Sequence, residues 1–384
     1  MDGIDEVLRA PVELGELPGV AAIAVTAEGV LFEGAFGRRA LPDGAPMSLD
    51  TVFRIASMTK PVTAAAAMQL VEQGRLSLDA PAGDVVPGLA APQVLEGFDA
   101  AGQPRLRPAK RPITLRHLLT HTAGFGYDIW NADLLRYMRA TGLPAARTGL
   151  LAGLDMPLSF DPGERWQYGI NIDWAGRMVE AASGEDLESY FVDHLFAPLG
   201  MGDTSFLVPP AMHARLATVH AREPWGLRPL EVEINPPREF YPGGGGLYST
   251  PREYARFLRM LLAGGELDGA RVLKPETVAL MLQNHMGEID VEPMISTVPT
   301  SSLDFELFPG MRKKWGLSFL INTEGVAGRR SAGSSTWGGL NNTYFWLDPT
   351  RHVAGAVFTQ ILPFGDPVVL ALVDAFETEV YRLV

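Results

Sequence analysis

Apolar positions along the chain change their spacing several times, and each change marks an element. Ile4, Val7, Leu8 and Val12 recur at helical spacing, so Asp2–Val12 reads as an amphipathic helix. Val20–Arg39, VAAIAVTAEGVLFEGAFGRR, holds two strand-like runs joined at a Glu28-Gly29 turn. From Ser57 to Gln73 nearly every position through Val71 is apolar, which predicts a helix buried on all sides. Gly74 then supplies a residue able to take the left-handed conformation that ends a helix.

Pro81, Pro87, Pro92, Pro104, Pro108 and Pro112 follow, and this segment reads as a long, extended surface connection. The pattern from Thr114 to about Leu199 is mainly helical, and Glu276–Met286 is a further helix. TYFWLD and HVAGAVFTQ return to strand character before a closing helix, PVVLALVDAFETEVYRLV. Strands near both ends with helices between them predict an α+β chain, an α/β sandwich. Its antiparallel sheet, flanked by helices, is built from both chain ends around an inserted, mainly helical domain. The expected division is 1–80 with 235–384 as the α/β domain and 81–234 as the helical one, with the active site at their interface.

Composition narrows the function. The 384 residues are 47% hydrophobic and 20% charged, enough for one large or two smaller soluble domains. A net charge of -13 argues against a nucleic acid or an anionic membrane as partner. The absence of cysteine excludes disulfides, thiolate metal sites and a cysteine nucleophile, and fits a reducing compartment. The acidic start, MDGIDEVLRAPVELG, lacks the signal-peptide pattern, and no apolar run reaches the ~18 residues of a membrane span. The cytoplasm is therefore the expected location.

One tetrapeptide carries candidate chemistry. Ser57 and Lys60 form the chain's one Ser-x-x-Lys pair, where chance placement of its serines and lysines would give about 0.2. Residues three apart share a helix face, so the amine can approach the hydroxyl. A serine becomes a good nucleophile when a neighbouring base takes its proton, and a buried lysine can be that base. Pro61 requires a helix to begin close by, which puts Ser57 at a positive helix end suited to a developing oxyanion. The same residues also fit a plain N-cap serine and a solvated lysine.

Other features have ordinary readings beside functional ones. His117 and His121 stand four apart, as metal ligands can, but HLLTH lacks the HExxH glutamate and has no evident third ligand; no metal is expected. His213 and His220 are expected on the surface. YPGGGGLYS (Tyr241–Ser249) is not followed by Gly-Lys-Ser/Thr, so it reads as a tight turn rather than a phosphate loop. Phe125, Tyr127, Trp130, Trp166 and Tyr241 suit either a pocket wall or the core. No Gly-x-Ser-x-Gly occurs, so the usual α/β-hydrolase nucleophile has no candidate.

FRIASMTKPVTAAAAMQLVEQGRLSLDAP resembles the nucleophile region of the serine β-lactamase-like superfamily. That group includes class C β-lactamases, penicillin-binding proteins, D-aminopeptidases and family VIII carboxylesterases. ITLRHLLTHTAGFGY resembles a segment of its class C-like branch, FDPGERWQYGINIDWAGRMVE its tyrosine segment, and STWGGLNNTYFWLDP its third motif. The four matches fall in the family's order and run over about residues 15–380.

The resemblance implies that Ser57 is the acyl-accepting nucleophile, with Lys60 and Tyr168 as its proton-transfer network and either as base. It implies an oxyanion hole of the Ser57 and Leu340 main-chain N–H groups, with Gly338 and Gly339 letting an edge strand pass close to substrate. Two departures bear on the substrate. Trp337 stands where a lactamase carries lysine, and an indole offers an apolar wall and one donor rather than a grip on a carboxylate. The Tyr-x-Asn motif reads Tyr168-Gly169-Ile170, with Asn171 one place late.

Both departures favour a neutral ester, as does the likeness of Trp-Gly-Gly to the family VIII form. The expectation is a carboxylesterase for small short-chain esters that needs no cofactor, with Trp337, Gly338, Gly339 and Tyr127 at the substrate. The alternatives are a β-lactamase, a D-amino peptidase or other amide hydrolase, an acyltransferase on the same site, and a non-catalytic scaffold of the same fold.

Overall fold

The computed structural model describes residues 2–384. Its main sheet has seven strands in the spatial order 313–315, 320–322, 335–339, 343–348, 353–358, 19–25 and 30–37. Every neighbouring pair is antiparallel. Ala21 lies opposite Phe358, so strands from the two chain ends pair side by side within the sheet, as the strand pattern predicts.

Both faces of this sheet are covered, because successive strand residues point to opposite sides. Phe345 packs against Tyr254 of the helix Pro251–Leu262, with ring centroids 5.8 Å apart. Its neighbour Trp346 packs against Phe376 of the helix Pro367–Val380, at 5.7 Å. The helix Asp2–Glu13 lies beside the latter. Each fully buried ring of this kind contributes about 1.5–3 kcal/mol relative to exposure.

The apolar run after Ser57 is a buried helix, Thr59–Glu72, with every residue from Thr59 to Leu70 out of solvent. Gly74 follows it at φ 69°, in the left-handed region. The helix packs on Asn171–Ser183. This contact brings the Ser57 and Tyr168 segments together from distant parts of the chain.

Several elements differ from expectation. The proline-rich segment is not merely extended: Gln93–Phe98 and Pro104–Pro108 form a hairpin whose Leu95 N–H bonds the Leu158 carbonyl. Val94 and Leu95 are buried, and Pro104 and Pro108 stand at the ends of their strand, where proline is tolerated. A second hairpin joins His220–Glu223 to Gly226–Pro229, and its first strand pairs in parallel with Ile361–Leu362. The helix expected over Glu276–Met286 ends at Met281, because the His285 N–H is taken by the Trp315 carbonyl at the sheet edge. Among the described residues no helix is long and apolar enough to cross a membrane.

Candidate active site

Ser57 sits in a single 3-10 turn, Ala56–Met58, just ahead of the buried helix rather than in its first turn. The residue before it, Ala56, has φ 43°, a left-handed conformation that strains a side-chain-bearing residue. Contacts from three directions hold the turn. The Ile55 N–H bonds the Leu247 carbonyl, the Tyr254 hydroxyl donates to the Met58 carbonyl, and the Thr343 hydroxyl donates to the Ile55 carbonyl. Gly339 lies so close that a Cβ there would stand 2.2 Å from the Ile55 oxygen.

Lys60 points back along the helix to Ser57. Its Nζ is 3.2 Å from Ser57 Oγ, 3.2 Å from the Tyr127 hydroxyl, and bonded to the Gly244 carbonyl. It also stands over the Tyr168 ring, 4.5 Å from the centroid. The side chain is 0% exposed. Burial brings its pKa down to about 7, against the opposing charge of Asp173. A neutral amine in this place keeps two N–H groups for Gly244 and Tyr127 and turns its lone pair to Ser57.

Tyr168 completes the group. Trp337 Nε1 donates to its hydroxyl at 2.8 Å, and Ser57 lies close enough to influence its titration. The phenol oxygen accepts from Trp337 and keeps its own proton. Burial holds that proton more tightly than in a free tyrosine, although the Ser57 and Trp337 hydrogen bonds pull the other way. Tyr127 is likewise pushed well up by burial.

Trp337 therefore serves Tyr168 instead of forming an open wall for substrate. It is 2% exposed, and its ring packs on Trp315 and Phe305. Its strand is an interior strand, not an edge strand. Only Ser335 and Thr336 pair on the Leu320–Asn322 side, so Trp337, Gly338 and Gly339 are paired on one side and face the Ser57 turn with the other. Leu340 follows, half-buried, and lines the same cleft as Ser57.

That cleft has a volume of about 130 Å³ and is walled by Tyr127, Ile129, Trp130, Asp173, Leu340 and the glycine run. A second chamber of about 320 Å³ lies across Trp130 and Tyr168, bounded by Trp166, Met294 and Ile295. Trp130 lines both. Of the five aromatics singled out in the sequence, Tyr127 and Trp130 reach the Ser57 cleft and Trp166 the second chamber. Phe125 is buried against Trp174, and Tyr241 packs on Phe206.

The late asparagine is fully buried and its amide is turned away, with Asn171 Nδ2 bonded to His121 Nδ1 at 2.9 Å and the Phe125 carbonyl at 3.1 Å. His121 packs its ring on Tyr168 at 4.7 Å, and burial keeps it neutral. His117 instead closes a capping box with Thr114. The two histidines thus have separate local partners. His220 is not on the surface: it is buried, accepting the Leu41 N–H and bonded to the Thr218 carbonyl, while His213 is exposed.

Two site features escaped the sequence reading. Asp173 is a buried carboxylate at the cleft, accepting the Gly244 N–H at 2.9 Å. Gly244 belongs to the run read as a tight turn, which the resemblance places near the site, and it bonds both Asp173 and Lys60. The available signal was an acid between Ile172 and Trp174, five residues after Tyr168.

A family model described as Beta-lactamase matches residues 4–377. Monacolin J acid methylbutanoyltransferase from Aspergillus terreus is 35% identical over 98% of this chain and 95% of its own. Lovastatin esterase from Penicillium rubens is 32% identical over 99% of this chain and 98% of its own. The unliganded structure of simvastatin synthase from Aspergillus terreus superposes with a TM-score of 0.85 at 35% identity, covering 99% of this chain and 97% of that one.

Proposed function

The chain belongs to the Beta-lactamase family, and on that premise we propose that it is an enzyme acting on esters through an acyl-enzyme on Ser57. The observation that carries this reading is the Lys60 amine, wholly buried, 3.2 Å from Ser57 Oγ, with its pKa brought to about 7. Ser57 Oγ attacks the ester carbonyl as Lys60 takes its proton. The N–H groups of Ser57 and Leu340 hold the oxyanion. The leaving alkoxide is protonated through the Lys60–Tyr168 network, and water then attacks the acyl-enzyme by the same steps in reverse. Lys60 is the base in this scheme and Tyr168 the proton-holding partner, because burial makes the phenol harder to ionise than the ammonium.

The substrate proposed is a small ester with a short acyl group, which suits a cleft of about 130 Å³ beside Ser57. Lactam hydrolysis is expected to be weak. Trp337 stands in place of the carboxylate-binding lysine and is engaged by Tyr168, and the Asn171 amide is buried elsewhere. The test is a panel of p-nitrophenyl butyrate and nitrocefin on the wild type and Ser57→Ala. The ester kcat/KM should exceed the lactam value by at least about a hundredfold and vanish in Ser57→Ala; comparable values for the two substrates contradict the reading.

Acyl transfer to an alcohol is a second reading with its own support. One relative is named a methylbutanoyltransferase, and a second chamber of about 320 Å³ lies across Trp130 and Tyr168 from the Ser57 cleft, where an acceptor alcohol could lodge once Trp130 moves. Chromatography of products formed with an added alcohol separates the two: a new ester indicates transfer, free acid alone indicates hydrolysis.

A further inference from the structure

Asp173 stands outside the Ser57, Lys60 and Tyr168 set, yet it faces the same cleft. It lies in the first turn of the helix Asn171–Ser183 and is 3% exposed. A carboxylate is costly to bury unless an opposite charge and hydrogen bonds answer it. The opposite charge here is Lys60, and the hydrogen bond is the Gly244 N–H at 2.9 Å.

Gly244 joins the two side chains. Its N–H donates to Asp173 Oδ1, and its carbonyl accepts from Lys60 Nζ. A Cβ at this position would come within 2.7 Å of Asp173 Oδ2 and 3.0 Å of the Tyr127 hydroxyl. The contact therefore needs a glycine, which gives the Gly243–Gly246 run a reason beyond turn geometry.

We propose that Asp173 is a positioning residue for the reaction: through the Gly244 peptide it fixes the Lys60 amine on Ser57, and through its charge it sets how readily that amine gives up its extra proton. The inference rests on the reading of Lys60 as base. The groups facing Lys60 are Ser57 on the 3-10 turn, Tyr127 and His121 on the chain after the helix Leu115–Leu119, Tyr168 before the helix Asn171–Ser183, and Asp173 on that helix. Burial keeps both phenols protonated and His121 neutral. Burial raises the pKa of Asp173, and Lys60 and the Gly244 N–H oppose that rise; as a carboxylate, Asp173 is the charge that stabilises the Lys60 ammonium.

Removing a negative charge beside an ammonium lowers the pH at which the amine becomes free, so the acid limb of activity must move down. Asp173→Asn keeps an oxygen for the Gly244 N–H and removes the charge. Its kcat/KM for p-nitrophenyl butyrate, followed against pH beside the wild type and Ser57→Ala, should show the acid limb about one pH unit or more lower. Asp173→Glu keeps the charge on a longer arm, so its limb should stay in place while kcat falls at least about tenfold. A purely structural Asp173 would change folded yield and melting temperature without moving the limb. An Asp173→Asn limb that coincides with the wild type, or an Asp173→Glu kcat equal to the wild type, overturns the inference. Activity retained in Ser57→Ala would instead overturn the reading of Ser57 and Lys60, and this inference with it.

Discussion

Trp337 donates its indole N–H to the Tyr168 hydroxyl at 2.8 Å, across 169 residues of chain. That bond occupies one side of the phenol oxygen, and the ring of the same tyrosine lies under the Lys60 amine. A residue expected from its motif to face substrate instead holds the Tyr168 hydroxyl.

Trp337→Phe keeps a ring in this place and removes the donor. A buried hydrogen bond of this type is worth about 1 kcal/mol, so kcat for p-nitrophenyl butyrate should fall roughly fivefold with KM little changed. Steady-state kinetics with a melting curve check this; a lower melting temperature with unchanged kcat would make the bond purely structural.

The pH profile should have one acid limb. Lys60 acts as base in its neutral form, and burial brings its pKa to about 7. Above that pH kcat/KM should be flat, and below it should fall roughly tenfold per pH unit. The Tyr168 proton is held more tightly than usual, so no basic limb is expected in the ordinary tyrosine range. A limb that belongs to Lys60 is lost together with activity in Lys60→Met.

Gly339→Ala tests the close approach of the strand to the Ser57 turn. The new Cβ would meet the Ile55 oxygen at 2.2 Å and Thr343 Oγ1 at 2.4 Å, and backbone cannot move aside as a flexible side chain can. Stability should drop by about 1–3 kcal/mol, and activity by more than that loss of fold explains, because the Leu340 amide shifts with the strand. Denaturant unfolding and kcat on the same preparation separate the two effects.

Trp130 divides the two chambers, so Trp130→Ala should join them. The ratio of octanoate to butyrate p-nitrophenyl ester kcat/KM should rise at least about tenfold. An unchanged ratio means that Trp130 does not limit the acyl group.

Much of this arrangement was legible in the sequence, for reasons that can be named. The all-apolar run after Ser57 requires burial, which is what lowers the Lys60 pKa. Strand patterns at both ends anticipated the sheet in which Ala21 faces Phe358. What stayed hidden depends on side-chain direction in three dimensions. An indole at position 337 can face a cleft or a core, and packing on Trp315 and Phe305 decides for the core. Asp173 reads locally as an acid in a first helical turn, favoured there by the dipole. Its link to Lys60 runs through Gly244, distant from both in sequence. His220 looked like a surface residue because the Leu41 N–H that it accepts lies 179 residues away.

On this mechanism Ser57 forms the covalent intermediate and Lys60 activates it. A fluorophosphonate probe with peptide mapping by mass spectrometry tests it most directly. One adduct is expected, on Ser57, lost in Ser57→Ala and strongly slowed in Lys60→Met, with both variants folded by circular dichroism. Labelling that persists in Ser57→Ala, or a Lys60→Met variant labelled at the wild-type rate, would contradict it.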